Sequence, residues 1–270
     1  MDKEISVAVI AEYIGKSPEE VAYSFVFDEV YRLARKGVNV HVIRGKIEED
    51  STSYGIHFHG IEKMVDPKEL NMLMKNIMFY PPISLLRNPI YLYWENLYAL
   101  NVSKVIEKYN LDLIHAHFAY REGLVGLLAK KEQKPLVVTI HGYDILVEPL
   151  VNFGIRRSIR YDALIVNSRA VYKEVLKAEP LAKNKLHLIP LGVDCNRFNP
   201  SINNGFSIRR RLGIEDKFVF FVLKAHEPRY RIEDAIRGAA IVTSRHSDVV
   251  FLIGGTGSLK NYHQNLRLST

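Results

Sequence analysis

Apolar positions along the chain switch between two periods. Ile5–Ile10 (ISVAVI) is a short continuous apolar run, as in a strand buried on both faces. Residues 21–36 follow, with Phe25, Val26, Val30, Leu33 and Ala34 at helical spacing. Gly37 then stands where a helix ends, and Val38–Ile43 reads as a second strand. This is a βαβ unit, for which a right-handed crossover is expected. The alternation continues with a helix at 90–109, a strand at 111–118, a helix at 122–132 and a strand at 136–141. A helix at 151–160, a strand at 163–168, a helix at 169–177 and a strand at 185–190 complete the series. The pattern predicts an α/β fold with an open, mostly parallel sheet covered by helices.

Two stretches break the rhythm. Residues 64–95 are rich in Met, Tyr and Pro. They read first as helices packed on the domain, and second as a surface lip meeting a membrane or lipid. Residues 190–207 hold Pro190, Gly192, Pro200, Asn203, Asn204 and Gly205 without periodicity, the signature of a linker. Strand 217–224, helix 231–244, strand 249–255 and a helix from 258 follow. The expected organisation is a domain at 1–193, a linker at 194–207 and a partial domain at 208–270. Two parallel strands expose long edges, so a partner chain, or a second copy, is expected to cover them unless the chain is a fragment.

Composition narrows the class. Of 270 residues, 47% are hydrophobic and 25% charged, which excludes collagen-like and disordered chains. No apolar stretch reaches the roughly 18–20 residues of a spanning helix, and the N-terminus lacks a signal peptide's basic start. A single cysteine, Cys195, excludes internal disulfides and cysteine-built metal sites. A cytoplasmic location follows as an expectation, with peripheral membrane contact through 64–95 as its variant. The net charge of +7 is uneven: residues 196–270 carry 12 Lys and Arg against 6 Asp and Glu, the rest 25 against 24. Such a region could meet phosphate groups, nucleic acid or an anionic membrane, or be a solvated basic face; of these, nucleic acid is not the expected partner.

Several motifs carry candidate chemistry. Gly15-Lys16-Ser17 resembles the tail of a phosphate loop, but the required earlier glycine is Ile10. His115 and His117 share one strand face. With His141 and Asp144 they would make a metal site of a hydrolase, or else one lines a cleft and the other packs. His141-Gly142-Tyr143-Asp144-Ile145 stands at a strand's C-terminal end, where open α/β sheets place ligand groups. Gly254-Gly255-Thr256-Gly257 is a glycine-rich turn before a helix, near Lys224, Arg229 and Arg231, which together suit a diphosphate.

In order, FVFDEVYRLARKGVNVHVI (25–43), LDLIHAHFAYREG (111–123), VVTIHGYDI (137–145), LIVNSRAVYKEV (164–175) and LHLIPLGVDCNRFNP (186–200) span the first part. KAHEPRYRIEDAIRGAAIV (224–242) and FLIGGTGSLK (251–260) complete a set that resembles the nucleotide-sugar glycosyltransferases of the GT-B fold, retaining family 4. The resemblance implies two Rossmann-like domains facing a cleft. It also implies sugar transfer from a nucleotide diphosphate sugar to an acceptor, with retention and no metal or other cofactor. His141 would be the catalytic cleft histidine. His117, Asp144 and Ser24 would lie on the acceptor side, with Ser24 before the first helix. Lys224, Arg229, Arg231, Gly255 and Gly257 would hold the donor diphosphate.

There are departures from that pattern. Leu191 stands where Asn is common, the Gly pair near Ser24 is missing, and Lys224 replaces an Arg, losing the guanidinium fork. The family's later two-glutamate motif is also absent from the sequence. The expectation is therefore a truncated GT-B chain, inactive or incomplete alone. The alternative is a non-catalytic remnant or a binding subunit completed by a partner. The donor sugar, base and acceptor are not readable.

Overall fold

The computed structural model describes residues 5–20, 23–62, 89–130, 134–142, 145, 160–202 and 205–269. The chain divides into two compact units, Met1–Gly192 and Val193–Thr270.

The first unit is built on strand β1 (Ser6–Ile10), followed by helix α1 (Ser24–Arg35) and strand β2 (Asn39–Ile43). A hairpin of β3 (Ser51–Ser53) and β4 (Ile56–His59) comes next. Helix α2 (Pro89–Lys108), β5 (Leu113–His117), α3 (Glu122–Ala129) and β6 (Leu136–Ile140) follow. Strand β7 (Ala163–Val166), α4 (Arg169–Ala178), a 3₁₀ segment (Pro180–Lys185) and β8 (Leu186–Leu188) complete it. The eight strands lie in the order β3-β4-β2-β1-β5-β6-β7-β8. Only β3 with β4 is antiparallel.

Alternation along each strand divides the core in two. Val7 and Val9 of β1, Val40 and Val42 of β2, and Ile56 and Phe58 of β4 pack under Val26, Phe27 and Val30 of α1. Ala8, Ile10, Ile114, Ala116, Val138 and Ile140 face the other way, against Tyr98, Val102 and Ile106 of α2 and Val125 of α3. Burial of both faces explains why these strands read as continuous apolar runs. Helix α1 ends as the sequence indicates: Gly37 has φ 85°, its N–H donates to Ala34 O, and the Val38 N–H donates to Leu33 O. These paired bonds are a Schellman closure, in which a left-handed residue is required.

The order of strands positions the site. Among the parallel strands, chain order runs outward in both directions from β1 and β5, so the sheet has its topological switch point between them. Ligands of open α/β sheets bind beyond the C-terminal strand ends at such a point.

The second unit holds α5 (Gly205–Leu212), β9 (Phe218–Leu223), a 3₁₀ turn (Pro228–Tyr230), α6 (Ile232–Thr243), β10 (Val249–Gly254) and α7 (Lys260–Ser269). Strands β9 and β10 form a two-stranded parallel sheet. Phe218, Phe220, Phe221 and Leu223 are exposed.

The structure corrects three expectations. Ser24 opens α1 instead of preceding it, the β3–β4 hairpin was not foreseen, and α5 begins inside the expected linker. The expected helix at 151–160 and most of segment 64–95 lie outside the described residues.

Candidate functional site

His141 follows β6 directly, one strand removed from the switch point. Its ring is stacked on His117, with centroids 5.2 Å apart and planes 15° apart. Phe25 and Phe118 flank it at 4.8 and 4.7 Å. The backbone beside it is unusual in two places. Gly142 has φ 87°, and Phe118, at the end of β5, has φ 77°. A bulky residue in that region is strained, by roughly 1–3 kcal/mol, and such strain clusters at functional sites. The Phe118 conformation is held from both sides: its N–H donates to Thr139 O at 2.8 Å, and its carbonyl accepts from the Gly123 N–H at 2.9 Å.

Three imidazoles form one row, in which His115 and His117 are buried and His141 is partly exposed. His117 Nδ1 and His141 Nε2 share a hydrogen bond of 3.0 Å, and His115 Nε2 and Thr139 Oγ1 share one of 2.8 Å. Burial lowers the pKa of His115 to about 4. It does the same for His141, with His115 adding to the effect. His117 is pushed well down by burial and then by its two histidine neighbours. All three are therefore neutral at pH 7, so the row carries hydrogen-bonding groups and no charge. Among the described residues, His117 Nε2 and His141 Nδ1 have no hydrogen-bond partner. Glu29 of α1 reaches the row from across the sheet face, its Oε1 3.8 Å from His115 Nδ1.

A second group lies beyond β1, where sequence reasoning placed nothing. Arg121, just before α3, bonds Glu12 Oε2 through Nη1 and Glu95 Oε1 through Nε. Glu12 and Glu95 are buried. Glu12 and Arg121, with Tyr98 and Trp94, line a cavity of about 290 Å³. Gly45 is needed beside it, because a Cβ there would lie 2.7 Å from Glu12 Cγ. Carboxylates held by one guanidinium at a sheet switch point can accept hydrogen bonds from ligand hydroxyls. Glu12 directly after β1 was the available signal.

In the second unit, Lys224 follows β9 and the 254–257 turn follows β10. Lys224 Nζ lies 4.6 Å from the centre of the Tyr230 ring, and the Arg229 guanidinium 4.9 Å from it. One aromatic ring thus gathers two expected diphosphate cations. Arg231 pairs elsewhere. It precedes α6 with φ 50°, and its Nε donates to Asp234 Oδ2 at 2.6 Å.

The glycines of the turn have a packing reason of their own. A Cβ on Gly255 would lie 1.9 Å from Lys224 O, and one on Gly257 within 2.6–2.8 Å of the His226 backbone. Their φ values are 135° and 152°. The loops after β9 and β10 therefore touch backbone to backbone, joined by His226 N–H donating to Thr256 O at 2.8 Å. Ser258, at the exit of the turn, donates from its N–H and its hydroxyl to the Glu227 carboxylate, at 2.9 and 2.8 Å. Those bonds hold Glu227 below the usual carboxylate range.

The expected site residues thus fall into separate groups. His141 and His117 meet in the first unit, with His117 fully buried against His141 instead of facing a ligand. Ser24 is exposed at the start of α1. Lys224, Arg229, Gly255 and Gly257 meet at the strand ends of the second unit. Asp144 lies outside the described residues.

Comparison with known proteins bears on the fold and the family. Over 177 residues, 60% of this chain and 45% of the relative, the sequence is 27% identical to UDP-Gal:alpha-D-GlcNAc-diphosphoundecaprenol alpha-1,3-galactosyltransferase of Escherichia coli. It is 31% identical over 139 residues, 47% of this chain, to N-acetyl-alpha-D-glucosaminyl L-malate synthase of Bacillus anthracis, of which 31% is covered. The chain thus spans less than half the length of these curated relatives. Among solved structures, Anabaena Alr3699/HepE in complex with UDP and glucose superposes with a TM-score of 0.62 at 16% identity. That match covers 98% of this chain and 65% of the other. An Escherichia coli trehalose-6-phosphate structure with UDP-2-fluoro glucose gives a TM-score of 0.60 at 9% identity, covering 97% and 68%. These neighbours share the GT-B architecture with this chain. The sequence pattern of Glycosyltransferase Family 4 matches residues 24–197, well over half of the chain, and the protein belongs to that family.

Proposed function

We propose that the chain serves glycosyl transfer from a nucleotide diphosphate sugar to an acceptor hydroxyl, with retention at the anomeric carbon and no cofactor in the transfer step. The observation that carries the reading is the position of His141. A neutral imidazole stands beyond a central parallel strand, walled by Phe25 and Phe118 and oriented by a buried second histidine. In this role His141 is the catalytic residue; Nε2 is held by His117, and Nδ1, buried and without a hydrogen-bond partner among the described residues, is the nitrogen left for the transferred sugar once the donor displaces what covers it. His117 reaches the sugar only through His141, so it is a positioning residue. Glu12 and Arg121 offer hydrogen bonds to acceptor hydroxyls, and Glu95 holds the Arg121 guanidinium in place. Lys224 and Arg229 receive the diphosphate, whose charge grows as the leaving group departs.

Three of the proteins above, by their names, carry or use a uridine nucleotide, which supports a UDP-sugar as the first donor to test. The acceptor named for the E. coli relative is a lipid diphosphate sugar, and a soluble analogue of that class is the first acceptor. Turnover by these 270 residues is expected to be slow, because the apolar strand preceding Lys224 is exposed. Rates from a panel of UDP-sugars should fall at least about a hundredfold in His141→Ala, the size expected for a group acting on the reacting centre. An equal rate in both proteins contradicts the assignment.

A second reading, a binding subunit that needs a partner, is favoured by the exposed apolar residues of β9. It predicts binding of an acceptor analogue without turnover.

A further inference from the structure

Glu29, His115 and His117 converge between α1 and β5. One ligand atom of each lies within 4.8 Å of the other two. The two histidines are neighbours on one face of the strand, with ring centroids 4.4 Å apart. His115 Nδ1 is 3.8 Å from Glu29 Oε1. Two ligands of a tetrahedral zinc ion, each about 2.0–2.1 Å from the metal, lie roughly 3.3–3.4 Å apart. That pair therefore needs to close by only a few tenths of an ångström.

The far nitrogens of both rings are already engaged. His115 Nε2 is bonded to Thr139 Oγ1 at 2.8 Å, and His117 Nδ1 to His141 Nε2 at 3.0 Å. Metal-bound histidines keep their second nitrogen in such a bond, which fixes ring orientation and tautomer. The nitrogen left on His117 is Nε2, buried and without a hydrogen-bond partner among the described residues. A buried polar atom of that kind calls for an explanation, and a cation supplies one.

We propose that Glu29, His115 and His117 bind one divalent transition-metal ion of the zinc class, clamping helix α1 to strand β5. Two imidazoles and a carboxylate suit zinc, with a fourth position left for water. With an ion on Nε2, the ring proton of His117 sits on Nδ1 and is donated to His141 Nε2. His141 then carries its own proton on Nδ1. The ion fixes which tautomer His141 shows to a ligand without touching the ligand itself. Binding of the ion does not depend on the transfer reaction proposed above.

The test is a titration of the chelator-stripped 270-residue chain with Zn²⁺ and with Co²⁺, read by native mass spectrometry and by the visible absorption of Co²⁺. The expected result is one ion per chain, intense tetrahedral-type Co²⁺ absorption and a raised melting temperature. Glu29→Gln and His115→Gln should each weaken binding more than tenfold. Thr139→Val, which removes only the support of His115, should weaken it about tenfold. Circular dichroism checks folding of the variants, and if His115→Gln does not fold, the isosteric Glu29→Gln decides. Absence of a stoichiometric ion overturns the proposal. So does an affinity unchanged in Glu29→Gln, which would assign the ion to another histidine group and leave Glu29 a neighbour of His115 without a metal role.

Discussion

His115, His117 and His141 are held neutral by burial, and that has a measurable effect on folding. Their folded pKa values lie below the ordinary histidine value, about 4 for His115 and His141, while the unfolded chain titrates near 6.5. Between those values the unfolded state holds more protons, so stability rises with pH across the window and is lost as pH falls through it. Each such group contributes up to about 1.4 kcal/mol per pH unit. Urea unfolding of the metal-free chain should show a marked fall in stability from about pH 6.5 to about pH 5, above most carboxylate titrations. The fall should shrink in His115→Gln, and a flat profile would contradict the burial argument. Residue identity was partly legible beforehand. A His-x-His at a strand end and a His-Gly at the next are visible in the sequence. Which ring is buried and which faces outward depends on what packs above the strand, and a single strand does not show it. The same holds for Arg121, whose two carboxylate partners come from a strand end and a distant helix.

At the scale of elements, long apolar runs and the Gly37 helix end were readable because burial on both faces and left-handed closure each leave a local mark. The β3–β4 hairpin was not. Its strands are three and four residues long, and β4 alternates Ile56 and Phe58 with His57 and His59. Two of those histidines stack on His41 of β2, with ring centroids 4.7 and 5.2 Å apart, so apparently polar positions are packed. The glycine-rich turn illustrates the reverse problem, a motif with more than one cause. Its glycines suit a phosphate, yet Gly255 and Gly257 are also required by backbone contact with the Lys224–His226 loop. Gly257→Ala should therefore destabilise the second unit by about 1–3 kcal/mol in chemical denaturation, with no ligand present. A change within about 0.5 kcal/mol would leave the phosphate as the reason for glycine there.

At the scale of the whole molecule, the two units differ in how much they bury. The first has an eight-stranded sheet with apolar packing on both faces. The second has two strands, and four large apolar side chains of β9 are exposed. Exposed apolar strands attract partners, so coverage of β9 by another polypeptide segment fits the binding-subunit reading. It also explains why donor affinity should be weak in these 270 residues. The α/β alternation, and the family pattern it carries, predicted the architecture. How Lys224, Arg229 and Arg231 are grouped needed the structure, because Tyr230 gathers the first two and Asp234 pairs with the third. The most direct test of the donor role is titration calorimetry of the chain with UDP. The account predicts weak, saturable binding that is lost in Lys224→Ala and retained in Arg231→Ala. Equal binding by the wild type and Lys224→Ala would contradict it.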